Sequence, residues 1–88
     1  MKTITFDVNC AEWSPCGEYN RSYLKTQCQY FQDIFMTRGY LYLNYIYECL
    51  GAKWNPDWEN MCYRIENGPL HMKIEEGLGD VCFIEINQ

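Results

Sequence analysis

RGYLYLNYIYECLG, residues 38–51, divides the chain. The segment before it reads as a strand and a long helix, and the segment after it reads as sheet, which makes an α+β fold. Gly39 closes a helical pattern and suits the left-handed position that ends a helix. Tyr40 to Leu43 alternates aromatic and leucine with period two, the pattern of a short extended segment. Asn44 has an N-cap side chain, whose oxygen accepts from the free amides of a first turn. Ile46, Cys49 and Leu50 then fall at i, i+3 and i+4 and make one apolar face, and Gly51 ends the helix. A helix this short is not stable alone and must be held by packing. The stretch contains four of the chain's eight tyrosines. They are read either as core residues with hydroxyls at its rim or as a binding surface, since tyrosine supplies broad contact with few rotors. Tyr40 and Tyr42 are the candidates for the second reading.

Toward the N-terminus, Lys2 to Val8 alternates, with Ile4, Phe6 and Val8 on one side and Thr3, Thr5 and Asp7 on the other. This is a half-buried strand. Asn9 to Gly17 contains Ser-Pro and Gly and reads as a connection, with Trp13 as a lid over the core. From about Glu18 to Arg38 the period becomes helical: Leu24, Cys28, Phe31 and Phe35 lie at i, i+4, i+7 and i+11, with Ile34 beside them. Glu18 and Asn20 fit the polar start of that helix.

Toward the C-terminus, Ala52 to Asn60 holds an Asn-Pro-Asp turn flanked by Trp54 and Trp58. The two tryptophans either cover the open edge of a small core or form a partner-binding tip, since aromatic anchors dominate interfaces. Asp57 and Glu59 sit in the same tip. Met61 to Glu66 alternates, Asn67-Gly68 is a strong hairpin signal, and Leu70, Met72 and Ile74 make the next apolar face. Glu75 to Asp80 is a Gly-rich turn. Val81 to Ile86 is a last strand, apolar enough to be covered on both faces, with Cys82, Ile84 and Ile86 pointing one way. Short turns join these segments, so a three-stranded antiparallel meander is expected. The N-terminal strand is expected in the same sheet, with the long and the short helix packed on one face.

Eighty-eight residues make a single small domain, 1–88. An apolar share of 48% and an aromatic share of 17% separate the chain from disordered sequences. A net charge of −5 argues against nonspecific binding to nucleic acid or to an anionic membrane, both of which need a basic face. It permits binding to a basic protein surface. The N-terminus has Thr and Asp where a signal peptide needs an apolar core, so a cytoplasmic location is expected. Six cysteines and one histidine, His71, occur without any Cys-x-x-Cys spacing. The cysteines therefore read as reduced small hydrophobes, and neither metal nor cofactor is expected. No catalytic residues are assigned. His71 is the only imidazole available as a base for a nucleophilic cysteine, with Cys62 and Cys82 as the conceivable partners. Glu75 and Glu76 are consecutive and point apart in a strand, and EEGLGD (75–80) lacks the Lys and the following helix of a phosphate loop.

The run GYLYLNYIYECLG, followed by a loop, then CYRIENGPLHMKI, a Gly turn and VCFIEIN, resembles small uncharacterised accessory proteins of phages and conjugative elements of Gram-positive bacteria. The matching positions are Gly39, Tyr40, Leu43, Asn44, Tyr47, Glu48, Leu50 and Gly51, and the likeness covers the C-terminal half. The chain departs from that pattern in its cysteines and in the 54–58 loop. The resemblance implies an accessory protein of a mobile element and no enzymatic activity. The expected function is non-enzymatic binding to a host protein, such as inhibition of a host defence protein in the manner of an anti-CRISPR. Trp54, Asp57, Trp58, Glu59, Tyr40 and Tyr42 are the candidate partner-binding residues. Against a nucleic-acid-binding target, Asp57, Glu59, Glu66, Glu75, Glu76 and Asp80 imitate phosphate while Trp54 and Trp58 anchor. The rival is a structural homo-oligomer that buries the aromatic patches and the second face of the last strand against a copy. A third reading makes the six cysteines a thiol sensor or metal site.

Overall fold

The computed structural model describes residues 2–53 and 56–88. Among these the chain is α+β: β1 (Lys2–Phe6), α1 (Gly17–Arg38), β2 (Tyr40–Tyr42), α2 (Leu43–Cys49), β3 (Cys62–Arg64), β4 (His71–Glu76) and β5 (Cys82–Asn87), with short 3-10 turns at Pro56–Trp58 and Ile65–Asn67. One antiparallel sheet has the order β1-β5-β4, and a second is the ribbon β2-β3. β5 lies in the middle because it is the most apolar strand. Its Cys82, Ile84 and Ile86 are buried, and each is paired on both sides: Phe6-Cys82-Glu76, Ile4-Ile84-Ile74 and Lys2-Ile86-Met72 form three rows. The opposite face carries Thr3, Thr5, Lys73, Glu75, Phe83 and Glu85, and it is polar and partly open. Val8 lies beyond the end of β1 and is 72% exposed, so the alternation stops at Phe6.

α1 lays Leu24, Phe31 and Phe35 into one core with Ile4, Phe6, Ile84 and Ile86. Each such side chain contributes roughly 1.5–3 kcal/mol on burial. Tyr23 stacks on Phe6 with centroids 5.9 Å apart and donates its hydroxyl to the Cys49 carbonyl at 2.8 Å. Gly39 ends α1 at φ 82°, and its amide donates to Phe35. Asn20 is a core member rather than a surface polar residue of the first turn. Its Oδ1 accepts from the Ser14 amide at 2.9 Å and its Nδ2 donates to the Ser14 carbonyl at 2.7 Å. The incoming loop is thereby clamped onto the helix. Trp13 packs over the same region and donates Nε1–H to the Asp80 carbonyl at 3.0 Å.

The expected C-terminal meander does not form. The segment after the 54–58 loop leaves the main sheet and pairs with the tyrosine segment: Tyr40↔Arg64, Leu41↔Tyr63, Tyr42↔Cys62. Asn67-Gly68 is not a two-residue hairpin turn. Ile65–Asn67 coils as a 3-10 turn, Gly68 takes φ 108° and ψ −178°, and the chain crosses from one sheet to the other. Gln88 holds that crossing by donating Nε2–H to the carbonyls of Arg64 and Gly68. The real hairpin is β4–β5, turned by Gly77 to Val81. Asn44 is likewise not an N-cap. Tyr42 occupies the cap position and Asn44, the second residue of α2, is buried, while the Leu43 amide donates to the Met61 carbonyl at 3.0 Å. The residue leading into β3 thus satisfies the first free amide of the helix.

Candidate functional site

The candidate residues fall into two places. Tyr40 and Tyr42 stand on the outer face of β2 with their rings edge to face at 5.7 Å, 39% and 43% exposed. Between them Leu41 points inward and is buried. The alternation read over Tyr40 to Leu43 therefore holds through Tyr42, with tyrosine as its outer half, and Leu43 already opens α2. α1 runs alongside, and Ile34 and Arg38, one turn apart, face β2 across a shallow cleft of about 150 Å³. Tyr40, Leu41, Tyr42 and Tyr45 complete its lining. Tyr30 extends this surface by one further turn, with its hydroxyl 2.9 Å from that of Tyr45. The hydrogen bond with Tyr30, then one with the Cys49 thiol, holds the Tyr45 phenol well above its ordinary range, so it stays protonated. The cleft therefore presents phenol rings and hydroxyls, an aliphatic wall and the Arg38 guanidinium.

Sequence reasoning missed Tyr30, Ile34, Arg38 and Tyr45 as members of this surface. Their signal was present: Tyr30, Ile34 and Arg38 recur every four residues beside the core stripe of α1 and share a face. The partner of that face was not evident, because β2 had no assigned neighbour.

The second place is the 54–58 loop. Trp54 lies outside the described residues. Trp58 is half-buried against the core, its ring 5.4 Å from that of Tyr47, and Lys2 Nζ sits 4.8 Å above it. Asp57 and Glu59 flank it and are exposed. The structure therefore separates Tyr40 and Tyr42 on β2 from Trp58, which sits against α2 and β1. The six acids proposed as phosphate mimics include two that are engaged with cations: Glu76 with Arg21 at 3.1 Å and Glu75 with Lys73 at 2.8 Å.

All six cysteines are free thiols, with Cys10 and Cys82 buried and Cys16 exposed. Burial pushes the Cys28 thiol up to about 11 and also raises Cys10, Cys49 and Cys82. Among the described residues no three His, Cys, Asp or Glu side chains gather closely enough to hold a metal ion. His71 is exposed at one end of β4 opposite Asn87, whereas Cys82 is buried opposite Glu76 at the other end. Cys62 belongs to the other sheet. No helix among the described residues is long and apolar enough to cross a membrane. Comparison with known proteins finds no matching family, no matching curated protein and no matching solved structure.

Proposed function

We propose that the chain is a non-enzymatic protein-binding module and that its contact surface is the tyrosine cleft between α1 and β2. The observation that carries this is the exposure of Tyr30, Tyr40 and Tyr42 on elements pinned from below by Phe31, Phe35 and Leu41. Aromatic side chains and arginine are enriched at protein interfaces. Tyrosines already ordered on a helix and a strand lose little further entropy on binding. The cleft admits a single apolar side chain of a partner, with phenol hydroxyls and Arg38 at the rim to accept and donate hydrogen bonds. The resemblance of the C-terminal half points to an accessory protein of a phage or conjugative element. The partner is then a host protein, and a defence protein is the class that such an element gains by inhibiting. Net charge of −5 favours a basic partner surface. With Glu75 and Glu76 engaged internally, affinity rests on the tyrosines more than on phosphate mimicry.

The test is quantitative capture from host lysate by the native chain and by Tyr40→Ala/Tyr42→Ala, followed by titration calorimetry with the purified partner. Loss of about a hundredfold in affinity is expected for two truncated aromatic anchors. A partner that binds native and variant chains within about twofold would refute the cleft as the binding surface.

A further inference from the structure

β4 is an edge strand of six residues. It pairs with β5 on one side and with no described strand on the other. The other outer strand, β1, is capped in part, because the Cys10 thiol donates to the outward Thr5 carbonyl. The Gly77 amide donates to the Val81 carbonyl at 2.7 Å, which makes that pair a hydrogen-bonded one. In an antiparallel ladder the bonded pairs alternate. Counting back along the register, Glu75, Lys73 and His71 turn their backbone groups toward β5, and Met72, Ile74 and Glu76 turn theirs outward. An outward row of this kind is a template for another strand.

The side chains along this edge are self-complementary. Lys73 and Glu75 flank Ile74 symmetrically, on the open face of the sheet. On the other face Ile74 and Glu76 line a groove of about 400 Å³ together with one stripe of α1, Glu18, Arg21, Ser22 and Lys25, and the Arg21–Glu76 ion pair spans it.

We infer that this edge is a self-association surface, on which two copies pair β4 with β4 antiparallel about a two-fold axis through Ile74. That axis places each Lys73 opposite the partner's Glu75 in a non-hydrogen-bonded pair, where cross-strand side chains are closest. It also sets each Ile74 against its copy. The product is a continuous six-stranded sheet with order β1-β5-β4-β4-β5-β1, closed by symmetry. This surface is distinct from the tyrosine cleft, and the inference does not depend on the function proposed for that cleft.

The test is sedimentation velocity of the full chain from about 1 to 300 µM in about 150 mM salt, where screening limits the mutual repulsion of two acidic chains. A monomer–dimer equilibrium is expected. Lys73→Glu and Glu75→Lys each turn two opposite-charge contacts per dimer into like-charge contacts, and each is expected to raise the dissociation constant at least about tenfold. The double substitution Lys73→Glu/Glu75→Lys is expected to restore it to within about threefold. Both side chains are on the surface, and circular dichroism melts establish that each variant is folded. A chain that stays monomeric to 300 µM overturns the inference. So does a dimer that both single substitutions leave unchanged, and so does failure of the double substitution to recover a folded dimer.

Discussion

Truncating Asn20 to alanine tests whether one buried amide holds the N-terminal connection. Asn20 has no exposed surface, and both of its hydrogen bonds go to the backbone of Ser14, six residues earlier. The Asn20→Ala variant loses two bonds worth about 1 kcal/mol each, and it leaves the Ser14 amide and carbonyl to find water. Ser14 is half-buried, so solvent offsets part of that further cost. A total loss of about 2–4 kcal/mol follows. An 88-residue domain has roughly 4–13 kcal/mol to lose, so the change is large. Urea denaturation followed by tryptophan fluorescence measures it, as a fall in midpoint at constant slope. Ser14→Ala is the control. It keeps both backbone bonds and gives up only the Oγ that accepts from the Cys16 amide at 3.3 Å, so it loses less than about 1 kcal/mol. If Asn20→Ala also loses less than about 1 kcal/mol, the clamp contributes nothing beyond a solvated amide and the reasoning is refuted.

Gly51→Ala is expected to cost more than about 2 kcal/mol, because φ is +69° and the new Cβ meets the Ala11 backbone nitrogen at 2.8 Å. Gly68→Ala, at φ +108° and ψ −178° with open space around it, carries backbone strain alone and is expected to cost about 1–3 kcal/mol; an unchanged urea midpoint would contradict that. The Tyr23 phenol is pushed up from 10.0 to about 12, first by burial and then by the Glu12 carboxylate. A proton held more tightly in the folded state stabilises it fully below the unfolded value and ceases to do so as pH rises through the folded one. Stability should therefore decline between pH 10 and about 12, and Tyr23→Phe should flatten that decline; urea midpoints against pH check both. Timed labelling with a thiol reagent, read by peptide mass, is expected to modify exposed Cys16 first and buried Cys10 and Cys82 only at the rate of unfolding.

The parts of the fold legible in the sequence are those set by neighbours along the chain. α1 follows from the spacing of Leu24, Phe31 and Phe35, its end follows from Gly39, and the β4–β5 hairpin follows from two alternating runs around a Gly-rich turn. The parts that were not legible depend on distant partners. Tyr40–Tyr42 was visibly extended, but its neighbour begins twenty residues after its end, at Cys62. Nothing local distinguishes Asn67-Gly68 in a two-residue hairpin from the same pair after a 3-10 turn, where Gly68 only has to reach φ 108°. Asn20 and Asn44 were read from polarity as helix-start residues. Both are buried: the Asn20 amide bonds the Ser14 backbone, and at the start of α2 the Met61 carbonyl takes the Leu43 amide in place of an asparagine cap. The candidate site was half legible for the same reason. Tyr40 and Tyr42 belong to a local pattern, whereas the wall formed by Ile34 and Arg38 appears only when α1 and β2 are side by side.

α1 contributes to both surfaces, and this sets how far they can influence each other. The groove beside β4 uses the stripe from Glu18 to Lys25, and the tyrosine cleft uses Ile34 and Arg38. At 1.5 Å per residue their midpoints are about 20 Å apart along the helix. Substitutions separated by more than about 10 Å with no shared partners act additively. The two surfaces share no side chain among those lining them. Tyr40→Ala/Tyr42→Ala should therefore leave the dimer dissociation constant within about twofold of native, since additivity holds to about 0.5 kcal/mol. If the tyrosine substitutions weaken self-association as strongly as Lys73→Glu does, the cleft itself lies in the dimer interface. The aromatic surface would then belong to the homo-oligomer and not to a foreign partner.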